Sequence, residues 1–310
     1  GLSEDNVLPG SVSAYEGDSD TQAEPYTMDD ALSDLFVDEA DLTTMVELLR
    51  AKKNLVLTGP PGTGKTFLAA RLGYLLAEEK SPDRICRVQF HQSMSYEDFV
   101  QGYRPSGDGF KRRNGPFVQF CRQAVQDGRP HILLIDEINR GNLSRIFGEL
   151  MLLIEADKRS EEWATRLAYA TDEDRAFWVP ENVYIIGTMN TADRSLALVD
   201  YALRRRFAFW SVKPAFDHEG LHKHLKENGM NASMVERVVS AIHTLNGRIR
   251  SDHNLGDGFC IGHSYFCELD GTKTTLSRLI KTEIAPLLRE YWFDDPDRAR
   301  SEIQEIERVV

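Results

Sequence analysis

Short apolar runs alternate with amphipathic stretches along most of this chain, and the pattern becomes regular from Thr27 onward. Leu42, Met45, Val46 and Leu49 recur at helical spacing, so residues 40–50 read as a helix with one buried face. The run NLVLT at 54–58 is short and continuously apolar, as a strand covered on both faces is. Residues 65–79 read as helix, 85–90 as strand, 117–126 as helix and HILLI at 131–135 as strand. Leu143, Ile146, Phe147, Leu150 and Ile154 mark a long amphipathic helix. Residues 166–170 and 176–179 read as the arms of a hairpin. A strand at 183–186, a short helix at 200–203 and a last strand at 207–210 follow. Strands alternating with helices predict an α/β fold, with a parallel sheet flanked by helices on both faces. After Pro214 the strand patterns largely stop, and 218–227, 233–246 and 275–291 read as helices of a small second domain.

Composition changes this picture at one end only. Of 310 residues 41% are apolar, enough for a sizeable core. Thirteen of the 49 acidic residues lie between Gly1 and Leu49, where there is no Lys or Arg; the other 36 face 37 bases in residues 50–310. The net charge of -12 therefore belongs to the leader, and the body is close to neutral. That near-neutral body argues against tight autonomous DNA binding, which needs a concentrated basic face. Residues 1–26 are rich in Ser, Asp, Glu and Gly and read as a disordered acidic linker. The expected division is 1–26 linker, 27–213 α/β domain and 214–310 helical domain. The first 25 residues lack the basic start and apolar run of a signal peptide, and no run reaches membrane-spanning length. Cysteines at 86, 121, 260 and 267 form no paired framework, which fits a reduced cytoplasm.

The candidate chemistry begins with GPPGTGKT: Gly59, Pro60, Pro61, Gly62, Thr63, Gly64, Lys65 and Thr66. It matches G-x-x-x-x-G-K-[ST] directly after a predicted strand and directly before a predicted helix, the context a phosphate loop requires. Glycines let backbone N–H groups face a β-phosphate, and the helix N-terminus adds its positive end. Lys65 is expected to reach the β- and γ-phosphates, and Thr66 to hold Mg²⁺. In ILLIDEINR, Asp136 at a strand tip suits the Mg²⁺ shell, and Glu137 suits a general base for an attacking water. Acid pairs of this kind also serve as helix N-caps, but a phosphate loop upstream makes the layout that of a nucleoside triphosphatase.

The stretch GTMNTADRS (187–195) opens an apolar strand into polar groups, and LRRRF follows. Ligands of open parallel sheets sit at the carboxyl ends of strands, so Asn190 is expected beside Asp136 and Glu137, orienting the water or touching the γ-phosphate. Arg204, Arg205 and Arg206 suit a neighbour's site, where guanidinium groups stabilise transition-state charge, or simply a solvated helix end. The first role requires a ring.

Phosphate loop, acid pair, GTMNTADRSLALVDYALRRRF and a helical tail together resemble the AAA+ family, and more closely its McrB type. VQFHQSMSYEDFVQGYRP, IDEINRGNLSRIFGEL, IGHSYF and IAPLLREYWFDD carry the likeness across residues 40–296. The resemblance implies an AAA+ P-loop fold followed by a helical lid, with nucleotide held by residues 59–66 and Mg²⁺ by Thr66 and Asp136. It implies Glu137 as base, Asn190 as water-positioning sensor, and Asp193 and Arg194 as organisers of the interface around the neighbouring nucleotide. Arg205 and Arg206 become trans-acting fingers, with Arg140 a weaker candidate. It further implies a homo-oligomeric ring, hexameric in the family, that hydrolyses GTP, is stimulated by a McrC-like endonuclease subunit, and translocates on DNA. In the family a separate N-terminal domain reads modified bases, so no such recognition is expected of this chain. ATP stays open: NTAD at 190–193 has the N-x-x-D spacing of guanine readers, and DKRS at 157–160 faintly matches D-x-x-G, yet NTAD falls at the sensor position. The alternatives are an ATP-dependent remodelling ATPase of the MoxR type and a nucleotide-gated scaffold.

Two further signals remain. Cys260, His263 and Cys267 form C-x₂-H-x₃-C, but a tetrahedral metal needs a fourth ligand, for which His253 is the nearest nitrogen, and the family carries this segment without metal. His263 and Ser264 are expected instead to bring the lid to the nucleotide or a core neighbour. GYRPSGDGFKRRNGPF, with Lys111, Arg112 and Arg113, reads as a hairpin lining a pore or facing a partner, or as a solvated loop.

Overall fold

The computed structural model describes residues 24–107, 109–193 and 201–308. Its centre is a five-stranded sheet in the order β4 (Ile85–Gln89), β7 (His131–Asp136), β8 (Val183–Asn190), β2 (Asn54–Gly59) and β9 (Ala208–Ser211), with every pairing parallel. The register sets Gly59 opposite Asn190 and Gln89 opposite Asp136. All the chemistry-bearing strand ends thus share one edge.

Side-chain alternation divides the core between the two faces of the sheet. Leu55, Leu57, Ile132, Leu134 and Ile186 face α2 (Glu39–Lys52) and α3 (Lys65–Ala77), where Leu42, Met45, Leu49, Leu68 and Leu72 are buried. Val56, Leu133, Ile135 and Ile185 face the other way, onto α5 (Pro116–Asp127) and a cluster of phenylalanines. In that cluster Phe99 sits 5.1–5.3 Å, ring to ring, from Phe90, Phe117 and Phe147.

Several expectations shift. The predicted long helix over 143–154 is two short ones, α6 (Leu143–Phe147) and α7 (Leu150–Leu153). Gly148 between them has φ 51° and ψ -127°, a backbone conformation outside the helical range that side chains disfavour, and it ends the first helix. The predicted hairpin at 166–179 reduces to one bridge, Thr165 to Phe177; Arg112 takes the Tyr169 carbonyl of its first arm and pairs with Asp174 in its turn. Tyr26, assigned above to the leader, follows β1 (Glu24–Pro25), which pairs with β3 (Glu79–Lys80); it is buried at 2% exposure, and its hydroxyl donates to Asp34. Three helices lacked a sequence expectation: α1 (Met28–Asp34), with a Thr27 capping box, the single turn α4 (Tyr96–Phe99), and α13 (Pro296–Glu307), capped by Asp295. The segment from α4 (Tyr96–Phe99) to α5 forms an antiparallel hairpin, β5 (Gln101–Ser106) with β6 (Gly109–Asn114). Two of its arginines are committed to Asp98 and Asp174, and Lys111 and Arg113 are exposed.

Beyond Pro214 the chain is helical. A separate core joins α9 (Glu219–Glu227), α10 (Ala232–Ser251), α11 (Lys273–Leu279), α12 (Ala285–Tyr291) and α13. The helix predicted over 275–291 contains a π turn at Ile280–Ile284 just before Pro286, which has no N–H for an α-helical bond to Thr282. No helix among the described residues is long and apolar enough to cross a membrane.

This helical unit meets the sheet edge through residues 262–265. The Ser264 amide donates to the Gly62 carbonyl at 2.8 Å, and a Cβ at Gly262 would lie only 2.0 Å from Gly62 backbone, so the backbones touch directly. His263 Nδ1 accepts the Ala215 amide at 3.1 Å, which leaves the ring proton on Nε2. The C-x₂-H-x₃-C residues do not converge: the Cys260 thiol faces the Asn246 carbonyl, and the Cys267 thiol donates to the His263 carbonyl. No cluster of three or more His, Cys, Asp or Glu among the described residues is arranged for a metal.

Burial lowers the His263 pKa from 6.5 to about 4. The unfolded chain therefore takes up this proton first as pH falls, and the stabilisation present above about pH 6.5 is lost progressively toward pH 4. At pH 5 the loss amounts to about 2 kcal/mol. Urea unfolding at pH 7.5 and pH 5.0 should show His263→Gln less sensitive to acid than the parent by that amount; identical pH dependence would exclude His263 as the source.

Candidate active site

The segment 59–66 leaves the end of β2 and re-enters as α3, with Gly62 and Gly64 at positive φ. Lys65 is 7% exposed, and its amine donates to the carbonyls of Gly59 (3.0 Å) and Pro60 (2.8 Å). Burial lowers its pKa to about 8, against the raising influence of Glu137 and Asp136. A buried ammonium whose bonded acceptors are neutral carbonyls suits an anion arriving in the loop. Thr66, at the first turn of α3, donates its hydroxyl to Asp136 Oδ1 at 2.9 Å. Hydroxyl and carboxylate oxygens held this closely are a hard-cation donor set, and they can hold Mg²⁺.

The same Asp136 Oδ1 accepts the Thr188 hydroxyl at 2.8 Å, and Thr188 Oγ1 accepts the Glu137 amide at 3.3 Å. Thr188 was missed at the sequence level. Its signal is period two: it lies two residues before Asn190 on one strand and so shares that face. Glu137 is held in the left-handed region at φ 53°, uncommon for a residue with a side chain, where β7 turns into a short 3₁₀ turn. Its Oε1 accepts the Asn190 amide at 2.6 Å. Among the described residues its Oε2 is buried without a hydrogen-bond donor; Arg140 Nε lies 3.3 Å away, close enough for charge attraction but not aligned to donate. A carboxylate oriented through one oxygen and unpartnered at the other can take a proton from water. Arg140 also reaches Asp193 at 3.5 Å, so it bridges two acids of its own protomer.

The loop, Gln89, Asp136, Glu137, Thr188 and Asn190 enclose a cleft of about 480 Å³. Beside it, sharing Gly64 and Phe67, opens a larger cavity of about 1020 Å³ walled by Phe36, by residues 210–215 and by His218 and His263 of the helical unit. Asn190 bonds Glu137 and Asp193 pairs with Arg140, and neither lines the larger cavity.

The arginines stand apart from this group. In α8 (Tyr201–Arg206), the Arg206 carbonyl accepts from Asn54, the first residue of β2. That point is about 16 Å along the strand from Gly59, beyond the reach of any side chain. Arg206 pairs with Glu155 at 2.9 Å and donates Nε to the Met151 carbonyl at 2.5 Å, and only 16% of its side chain is exposed. Arg205 is 79% exposed, with Glu155 3.5 Å away. Arg204 is also exposed, and Arg194 lies outside the described residues.

Residues 54–207 match the model of the dynein-related AAA domain subfamily, and 237–300 that of the McrB α-helical lid domain. The chain is 53% identical over 283 residues to the Type IV methyl-directed restriction enzyme EcoKMcrB subunit of Escherichia coli, covering 89% of this chain and 62% of that protein. It is 27% identical over 194 residues to the Type II restriction enzyme BsuMI component YdiS of Bacillus subtilis, covering 51% and 56% respectively. The chain thus spans less than two thirds of the length of either relative. With a parallel five-stranded sheet, a phosphate loop at its carboxyl edge and the matching lid, the chain belongs to the AAA+ nucleoside triphosphatases of the McrB type.

Proposed function

We propose that this chain is the GTP-hydrolysing motor subunit of a McrBC-like restriction system, working in the cytoplasm as a homo-oligomeric ring, a hexamer by family likeness. The observation that carries the reading is the Asn190–Glu137–Thr188–Asp136–Thr66 chain of hydrogen bonds at the phosphate loop. In this reading the triphosphate lies in the smaller cleft along residues 59–66, and base and ribose enter the larger cavity. Mg²⁺, when bound, neutralises charge on the β- and γ-phosphates. Thr66 and Asp136 hold it, partly through water. Lys65 exchanges its two carbonyl acceptors for phosphate oxygens. Glu137 takes the proton of the attacking water through Oε2, while Asn190 fixes the carboxylate through Oε1 and faces the γ-phosphate. Asp193, Arg140 and Arg194 organise the surface met by the next protomer.

Trans action falls to Arg205. It is the exposed member of the pair and cannot reach its own phosphates, whereas Arg206 is spent on Glu155 and Met151. Its guanidinium supplies the neighbour's transition state with charge. The choice of GTP over ATP, the McrC-like endonuclease as activating partner, and DNA as the translocated substrate rest on the resemblance to McrB-type proteins. The restriction-enzyme descriptions of the two relatives support that setting.

Turnover with GTP and Mg²⁺, measured against ATP in competition and with and without a McrC-like subunit, tests the reading as a whole. GTP should be preferred, and absence of GTP turnover under both conditions would remove it. Glu137→Gln should keep binding and ring assembly yet lose at least about 100-fold in kcat, and Asn190→Ala should lose about tenfold; if Asn190→Ala turns over as fast as the parent, its role is lost. Arg205→Ala should lower kcat about 1000-fold with analogue affinity unchanged. Arg206→Ala should also lower the unfolding midpoint, because it leaves Glu155 buried without its closest partner.

A further inference from the structure

At the amino end of the sheet, opposite the nucleotide edge, Arg159 is 2% exposed. Among the described residues all its hydrogen bonds go to neutral acceptors: Nε and one terminal nitrogen to the Ile154 carbonyl (3.1 and 2.9 Å), the same nitrogen to Asn54 Oδ1 (2.7 Å), and the other to the Val183 carbonyl (2.7 Å). Burying a guanidinium without a carboxylate partner is costly, and an apolar side chain would fill the space more cheaply. What the charge does supply is polarity. Arg159 can only donate, so it fixes Oδ1 of Asn54 toward itself and turns Nδ2 outward. That Nδ2 donates to the Ile154 carbonyl at 2.7 Å and to the Arg206 carbonyl at 2.9 Å. The adjacent Glu155 holds the Arg206 guanidinium and stands 3.5 Å from that of Arg205. Asn54 and Glu155 therefore clamp the last turn of α8, Asn54 through the Arg206 carbonyl and Glu155 through the two guanidinium groups, while the Ile154 carbonyl beside Glu155 ties Asn54 to Arg159.

We propose that Arg159, Asn54 and Glu155 form a positioning node that sets where α8 presents Arg205 to the neighbouring protomer. The node rests on the trans-acting reading of Arg205 given above. None of its three members touches nucleotide; each acts through the finger helix. Asn54 and Val183 begin the two strands that end at Gly59 and Asn190, so the node also ties the finger to the frame carrying its own nucleotide site.

Asn54→Asp is the discriminating variant. A carboxylate still accepts from Arg159 but cannot donate to the Ile154 and Arg206 carbonyls, so the helix end is released while Arg159 keeps its partner. Expected are a fall in kcat of about 10–100-fold and an affinity for a non-hydrolysable GTP analogue within about twofold of the parent. The decisive arm mixes Asn54→Asp protein with Glu137→Gln protein, which has an intact finger and an inactive site. In mixed rings the Asn54→Asp sites receive sound fingers, and turnover should exceed the sum of the two proteins assayed alone. Arg205→Ala mixed with Glu137→Gln is the reference. If that reference pair complements and the Asn54→Asp pair does not, the node acts within its own protomer and the proposal falls. If the reference pair also fails, trans action by Arg205 is itself wrong and the node falls with it. Should Asn54→Asp fail to bind the analogue, the isosteric Glu155→Gln takes its place in the same mixture, with a smaller expected loss of about threefold and the same requirement to complement.

Discussion

A single carboxylate oxygen, Oδ1 of Asp136, accepts hydroxyls from both Thr66 and Thr188 and so joins three separately folded pieces of chain. Thr66 belongs to the helix that opens after the phosphate loop, Asp136 ends one strand, and Thr188 lies near the end of the next. None of these contacts forms unless the parallel register is right, because a slip of one residue turns each side chain to the other face of its strand. The sheet core enforces that register through the opposed sets Leu55, Leu57, Ile186 and Val56, Leu133, Ile185. The hydrophobic pattern is therefore the constraint from which the polar cleft follows.

Charge is distributed by the same geometry. On the nucleotide edge, Lys65 is bonded to neutral carbonyls, and Glu137 and Asp193 share Arg140. At the opposite end, Glu155 gathers Arg205 and Arg206. The chain thus keeps cation and acid partly matched in both regions, and the buried Lys65 ammonium has only neutral carbonyls to give up to an anion at the loop. The helical unit closes over this edge by backbone contact at Gly62, where neither chain has a side chain to interpose. A neutral His263 at that seam avoids placing a further charge there.

Much of this was legible in the sequence, for reasons that differ by element. The strands and the sheet-covering helices α2, α3 and α5 read correctly because burial on a defined face imposes a period that survives in composition. Loop, acid pair and Asn190 were legible because phosphate chemistry demands fixed residue types at strand ends. The break at Gly148 was not, since Leu143 to Ile154 keeps helical spacing across it. The arms expected around 166–179 failed because a distant ion pair, Arg112 with Asp174, outweighs weak local strand propensity. Thr188 was available from strand period but not from any motif. Arg159 carried no local signal at all: an arginine after Asp157 and Lys158 looks like solvated surface, and only tertiary structure buries it.

That last failure bears on how the two functional ends are related. The residues visible to motif reasoning line the cleft at the phosphate loop, whereas Asn54 and Arg159 sit at the opposite end of the sheet. Yet β2 has Asn54 at its start and Gly59 at its end, and six residues of buried strand are stiff compared with the loops at either side. A displacement of the phosphate loop on nucleotide binding or release has a short path to the carbonyl of Arg206 and hence to the helix that carries Arg205. On the trans-acting reading proposed for Arg205, a protomer's own nucleotide state and the finger it offers next door become two readings of one strand's position.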